Sequence, residues 1–318
     1  MSGASFDYFD NGTYNGNGGS QSISIGWTPS FVLISTERKS GGSSKRGFSA
    51  KFGTMATDEF QGLGNDATAE NGITLTSDGF DVSSQNYINA NGQVHHWIAV
   101  RSGVRTYQGQ YTATGASNSQ VVHSGSHIYN FFWSNKDAAT PRFGMAPFTY
   151  ADGYSTSFDR TIVSADNQVF RKPDLIPSRV NGLTEDNLVV VSGNANINTD
   201  LFDFVAFSNW GTLTRNTDAS GNLINAAYLG DSICDADFFE STGNGDTQEI
   251  HLNFQPRAIL CINSNIWLKT NSMPADEVAV LTDSGYSYSV GATITASGFI
   301  VDDINTNVGQ YAHFLAWK

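Results

Sequence analysis

Two stretches more than 200 residues apart in this 318-residue chain read almost alike, so the fold must be one that can be built twice. The first is Gly16-Asn-Gly-Gly-Ser-Gln21-Ser-Ile23-Ser-Ile25-Gly-Trp27-Thr-Pro29. The second is Gly243-Asn-Gly-Asp-Thr-Gln248-Glu-Ile250-His-Leu252-Asn-Phe254-Gln-Pro256, and Gly, Asn, Gly, Gln, Ile and Pro keep their offsets without a gap. Downstream, Ile73-Thr-Leu75, Gly79-Phe80-Asp-Val82, Ile88-Asn89 and His96-Trp97-Ile98-Ala99 are answered by Ala292-Thr-Ile294, Gly298-Phe299-Ile-Val301, Ile304-Asn305 and His313-Phe314-Leu315-Ala316. A worn third copy lies between them. Gly115, Gln120, Val122 and Phe131-Phe132-Trp133 open it, Asn187-Leu188-Val-Val190 and Phe204-Val205-Ala206-Phe207 close it, and Ile128 replaces the signature proline. Repeated units of this kind build scaffolds and binding surfaces.

Each copy spans about 90 to 100 residues, enough for one β-sandwich. Ser22-Ile23-Ser24-Ile25 and Glu249-Ile250-His251-Leu252 alternate polar and apolar, as a half-buried strand does. The runs Phe31 to Ile34 and Ala258 to Ile262 are apolar throughout and suit strands covered on both faces. Pro29 and Pro256, lacking a ladder donor, separate the two strand types. Ser77-Asp78-Gly79 and Ala296-Ser297-Gly298 read as hairpin turns whose glycines take positive φ. No long stretch carries a 3.6-residue period, so helices should be few and short. The expected fold is all-β: three tandem antiparallel β-sandwich (jelly-roll-like) modules with variable inserted loops. Their expected bounds are 6–103, 104–212 (diverged) and 238–318, with a linker at 213–237 in which Asn225-Ala-Ala-Tyr-Leu229 suits a short helical turn.

Composition narrows the function classes. Charged residues make up 15% of the chain, against about 25% in ordinary domains, while 39% hydrophobic residues argue for packed cores. A net charge of −13 argues against nucleic acid, which needs clustered Lys and Arg. From Asn181 onward four basic residues face sixteen acidic ones, an acidic half that suits solubility or the steering of cations. No apolar run approaches the roughly 20 residues of a membrane span, and Met1-Ser-Gly-Ala-Ser opens without the basic and apolar regions of a secretion signal. Cys234 and Cys261 make no disulfide framework, and Cys261, inside an apolar run, reads as a buried small hydrophobe.

At these residues the chain resembles a module of bacteriophage virion proteins, found in tail fibres and other particle-surface proteins. The resemblance rests on Gly12-Thr-Tyr14-Asn-Gly16-Asn-Gly18, Trp27-Thr-Pro29-Ser-Phe31-Val-Leu-Ile34, Thr76-Ser-Asp-Gly79-Phe80-Asp-Val82, Ile88-Asn89-Ala-Asn-Gly92 and Trp97-Ile98-Ala99. It covers both outer copies well and the middle one weakly. It implies an antiparallel β-sandwich in a virion structural protein, made in the host cytoplasm and exposed on the particle surface. Implied partners are other virion proteins of capsid or tail, and a host cell-surface glycan or protein. A homo-oligomer, with a trimer plausible, goes with that reading. A tail-fibre or knob-type host-recognition adhesin is the leading expectation, and a capsid-decoration or head-fibre protein the alternative. An envelope polysaccharide depolymerase is the competing class.

The residues offer little chemistry. His95, His96, His123, His127, His251 and His313 are the histidines; His96 and His313 hold matching places where the middle copy has Asp203. One histidine per copy supplies no metal site. Asp231, Asp235, Asp237 and Glu240 form one acidic cluster and Asp302-Asp303 another, without calcium-loop spacing. Gly16-Asn-Gly is followed by neither Lys-Ser/Thr nor a helix, and reads as a turn, not a phosphate loop. No Gly-x-Ser-x-Gly elbow or singled-out carboxylate pair appears. No catalytic, cofactor or metal residues are therefore assigned. Three stretches differ between the copies: Ser35 to Asn71, Asn135 to Gly182 and Asn263 to Gly291. Within the last two, Tyr150, Tyr154, Phe158, Trp267, Tyr286 and Tyr288 are the candidate ligand- or partner-binding aromatics, since a ring can stack on a sugar or fill a partner pocket. Trp97 and Trp317, in closing strands, read as core.

Overall fold

The computed structural model of the chain describes residues 9–36, 48–63, 72–101, 106–114, 120–124, 128–135, 142–147, 154–159, 168–171, 187–190, 200–208, 212–217, 223–229, 234–240, 247–252, 254–262, 266–282, 285–302 and 311–318. Their regular structure is strand apart from one helical turn, and every strand pairing among them is antiparallel.

The first region holds β1 (Phe9–Asn15), β2 (Gln21–Ser24), β3 (Phe31–Thr36), β4 (Phe48–Phe52), β5 (Gln61–Leu63), β6 (Ile73–Leu75), β7 (Gly79–Val82), a helical turn α1 (Asn86–Asn89) and β8 (Val94–Val100). A five-stranded sheet runs β1-β8-β3-β4-β5, and a three-stranded sheet runs β2-β7-β6. The closing strand thus lies between the first and third strands. In β3 every residue is buried, because alternate side chains face two different cores. Val32 and Ile34 join Trp97, Ala99, Phe60, Phe80, Val82 and Ile88 between the two sheets. Phe31 and Leu33 face the other way and are equally buried.

The middle region follows with β9 (Thr106–Thr112), β10 (Gln120–Ser124), β11 (Ile128–Asn135), β12 (Arg142–Pro147), β13 (Tyr154–Asp159), β14 (Gln168–Arg171), β15 (Asn187–Val190) and β16 (Leu201–Ser208). They form one sheet, ordered β10-β15-β14-β13-β12-β11-β16-β9. Read from its end, β9-β16-β11-β12-β13 repeats the order of the five-stranded sheet. Here β13 also pairs with β14, so the strands matching the small sheet are continuous with the large one.

The last region comprises β17 (Thr212–Thr217), β18 (Leu223–Leu229), β19 (Cys234–Glu240), β20 (Gln248–His251), β21 (Ala258–Ile262), β22 (Ile266–Thr270), β23 (Glu277–Thr282), β24 (Gly285–Val290), β25 (Ala292–Thr295), β26 (Gly298–Val301) and β27 (Tyr311–Trp317). Its small sheet is β20-β26-β25, and its large sheet is β17-β18-β19-β27-β21-β22-β23-β24. The inner core includes Ile259, Cys261, Trp267, Val280, Phe299 and Phe314, and Cys261 is buried in it, as its apolar run suggests. The segment 225–229, expected as a helical turn, is instead the strand β18. The stretch expected as a linker holds paired strands, with β17 and β18 extending the large sheet at its β19 edge.

The two hairpin glycines take positive φ as expected, 159° at Gly79 and 156° at Gly298, and a second constraint acts at both. A Cβ at Gly79 would run into the carbonyl oxygen of Ile23 on β2, and one at Gly298 into that of Ile250 on β20. Positive φ and the close approach of the neighbouring backbone together exclude a side chain there.

Candidate functional site

The stretches that sequence comparison treats as variable contain a second layer of repetition. Lys51-Phe-Gly-Thr-Met55-Ala-Thr-Asp-Glu59 ends β4 and leads toward β5, and Lys269-Thr-Asn-Ser-Met273-Pro-Ala-Asp-Glu277 ends β22 and leads into β23. Lys51 stands opposite Val32, and Lys269 opposite Ile259, at the same place in each sheet. Both side chains are buried. The Lys51 ammonium donates to the carbonyls of Ala56, Thr57 and Glu59. Lys269 donates to the carbonyls of Pro274, Ala275 and Glu277, the same three places along its turn. Met55 and Met273 are buried beneath the turns. A caged ammonium satisfies three carbonyls that a tight turn would otherwise strand. Burial pushes the Lys269 ammonium down to about 8, against the opposing pull of Asp276 and Glu277.

Each of these turns receives another region of the chain. At the last region's turn, Asn11 Nδ2 donates to Asn271 Oδ1 at 2.7 Å, and His96 Nδ1 shares a 3.1 Å hydrogen bond with Ser272 Oγ. Phe9 stacks on Trp317 at 5.1 Å between centroids, the Arg257 guanidinium lies 5.6 Å from the Phe9 ring centre, and Arg257 pairs with Asp10. At the first region's turn, Gln110 Nε2 donates to the Thr54 carbonyl at 3.2 Å and to Asp203 Oδ1 at 2.8 Å. A Cβ on Gly53 would lie 2.5 Å from Gln108 Oε1. Beside this contact Ser134 Oγ donates to Gln61 Oε1 at 3.1 Å, and Phe31 stacks on Phe132 at 5.4 Å.

The strands that dock into these turns match as well. Gly12 lies opposite Trp97, and Gly109 opposite Phe204. A Cβ at either glycine would come within 2.8 Å of the facing ring; the ring covers the bare backbone of the neighbouring strand. Tyr14 stacks on His95 at 4.9 Å and 10°, and Tyr111 on Phe202 at 4.9 Å and 9°. Burial raises both phenols well above their ordinary range.

Both histidines are buried. Burial is the main cause that brings His95 down to about 4, the Ala90 backbone carbonyl, an acceptor for the ring, opposing it and His96 adding to it. Burial likewise brings His96 to about 4, helped by the Lys269 charge. His95 Nδ1 lies 3.0 Å from Thr36 Oγ1. These are neutral packing histidines, held by hydroxyl partners.

The two halves of the sequence signature meet directly. Asn89 Nδ2 donates to Asn17 Oδ1 at 3.0 Å, and the Asn17 backbone N–H donates to Asn89 Oδ1 at 2.9 Å. Gly18, at φ 70°, donates its N–H to the Asn89 carbonyl. The Gly-Asn-Gly turn and the Ile-Asn turn thus form one locked unit.

The expected binding aromatics are dispersed. Trp267 is 0% exposed in β22, opposite Cys261 and packed edge-on against Phe299 at 6.5 Å. It is core and no candidate for ligand stacking, because the stretch around it is sheet and alternation turns it inward. Tyr154 and Phe158 lie in β13, opposite Arg171 and Met145, while Tyr286 and Tyr288 lie in β24, opposite Leu281 and Ala279. All four belong to strands, not loops: β13 takes the place of β5 in the first region's sheet, and β24 extends the last region's sheet one strand further. Tyr150 lies outside the described residues, as do Asp231 and Asp303 of the acidic clusters. Asp235 and Asp237 are in β19. Among the described residues no three His, Cys, Asp or Glu side chains gather as a metal site would require, and no helix is long and apolar enough to cross a membrane. No protein-family model matches the chain, and no curated protein matches it.

Proposed function

We propose that this chain is a non-enzymatic structural protein exposed on the surface of a bacteriophage particle, a tail-fibre or knob-type adhesin that recognises the host. In this reading the three regions are tandem antiparallel β-sandwich modules of jelly-roll-like form, each holding inserted segments of its own. The observation that carries it is a division of labour within the repeat. Matching residues are used in holding the fold and its joints: the Asn17–Asn89 lock, the caged Lys51 and Lys269, and the Trp97 and Phe204 rings laid over Gly12 and Gly109. Specificity is then left to the segments that differ, as on other rigid scaffolds with variable connections. Modest affinity per site is multiplied by the number of copies on a particle. The chain is framed by interior packing, and its signature residues are the ones that resemble the virion module.

The test is direct. Purified protein should bind host cells and compete with particle adsorption, and labelled antibody should decorate the tail. Decoration of the capsid lattice would refute the adhesin assignment in favour of capsid decoration. Release of reducing ends from host envelope polysaccharide would refute the non-enzymatic assignment.

A further inference from the structure

The two joints are one interface used twice. Asn11 and Gln108 each stand one residue before the strand glycines Gly12 and Gly109. His96 and Asp203 each stand one residue before the rings that cover those glycines. On the receiving side, Gly53-Thr54 and Asn271-Ser272 are the second and third residues after Lys51 and Lys269. The middle region therefore docks into the first region's turn, and the first region docks the same way into the last region's turn. Unlike surfaces meeting head to tail make a heterologous contact, the kind that joins separate subunits into rings or filaments. Here the same contact joins parts of one chain.

From this we infer that a single chain is a complete assembly unit: it stands in for an oligomer of single modules, stays monomeric in solution, and meets its partner as one copy. Two further observations support it. Among the described residues, the apolar side chains on the outer sheet faces are already covered within one chain. Leu33, Phe48, Ile98 and Val100 of the first region, Phe132 and Val205 of the middle one, and Leu260, Leu268 and Leu315 of the last are each at most 1% exposed. An obligate homo-oligomer would need a large apolar face left open for its neighbour. Net charge points the same way, since a second copy would bring another net −13 to the assembly and copies repel one another at long range. The inference does not depend on which particle or receptor the protein serves.

Light scattering on the full chain tests it. The expected mass is 34.3 kDa at every concentration; a mass climbing to a dimer or trimer overturns the inference. Wedges test the joints themselves. Ser272→Trp should strip amide protection from β1 and β8, and Gly53→Trp from β9 and β16, each variant now self-associating through the uncovered sheet faces. If both variants stay monomeric with protection unchanged, the joints do not keep those faces covered and the inference fails. The mass of the unmodified chain decides the matter even if a wedge prevents folding.

Discussion

The turns at Lys51–Glu59 and Lys269–Glu277 share only Lys, Met, Asp and Glu among nine positions, yet each lysine caps the same three places along its turn. Of the shared residues, the lysine and the methionine point inward in both turns, an ammonium caged by carbonyls and a methionine beneath it, while Asp58 and Asp276 are exposed. Among the positions that differ, Gly53 and Thr54 in one turn and Asn271 and Ser272 in the other face the neighbouring region. The difference teaches that the turn is specified by its capping chemistry, and its docking partner by two adjacent residues.

The largest effect should come from removing the cap. Lys51→Met and Lys269→Met should each cost about 3 kcal/mol, since buried carbonyls lose a charged donor. In the double variant the losses should add, because the sites share no partner. Urea unfolding measures this, and a silent change at one turn would break the equivalence.

Next comes pH. His95 and His96 titrate near 4 in the fold, against an ordinary value of 6.5. The fold thus holds the neutral rings, and their contribution is fully present above pH 6.5. It declines as pH falls through that value and levels off below about 4, each ring accounting for on the order of 3 kcal/mol. His95→Phe copies Phe202 of the middle region and should keep the stack on Tyr14 while removing one share. Denaturation midpoints at about pH 7 and about pH 4.5 would show it, and an undiminished pH slope in the variant would contradict the assignment.

Gly12→Ala and Gly109→Ala should each cost roughly 1–3 kcal/mol by crowding a packed ring. Thermal unfolding compares them with Gly26→Ala, where no atom lies within 4 Å and only the positive φ of 82° resists. The smallest effect belongs to Arg257→Ala. The Arg257 and Asp10 side chains are 34% and 30% exposed, so the loss should be about 0.5–1 kcal/mol. A double-mutant cycle with Asp10→Ala isolates it from the lost contact with Phe9.

Much of the sheet framework was legible because strand signals are local. The alternation in Gln21–Ser24, the doubly covered run from Phe31 and the closing strand at Trp97 need only neighbours to be read. The paired lysine turns escaped notice for a simple reason. The offset between copies drops from 227 residues at Gly16 and Gly243 to 218 at Lys51 and Lys269, so a gapless comparison slides past them. Trp267 was misplaced because a long insertion looks like loop until its partner strand is known. Segment 225–229 has good helix formers in Ala226, Ala227 and Leu229; pairing with β17 overrides that local preference. The joints were invisible, since Asn11 and Asn271 are 260 residues apart and neither sits in an unusual motif.

The position of the closing strands has a consequence for biosynthesis. β8, β16 and β27 are each the last strand of their region to be made, yet each lies between two earlier strands. Until it emerges, β1 and β3 have no common partner, and the apolar faces of a half-made sheet stay open. With elongation at about 5–20 residues per second, each region waits seconds before its sheet can close, and folding should proceed as three late, separate commitments. Ribosome-bound chains halted just before Val94 should therefore be protease-sensitive throughout the first region, and those halted once Val100 has cleared the exit tunnel should not.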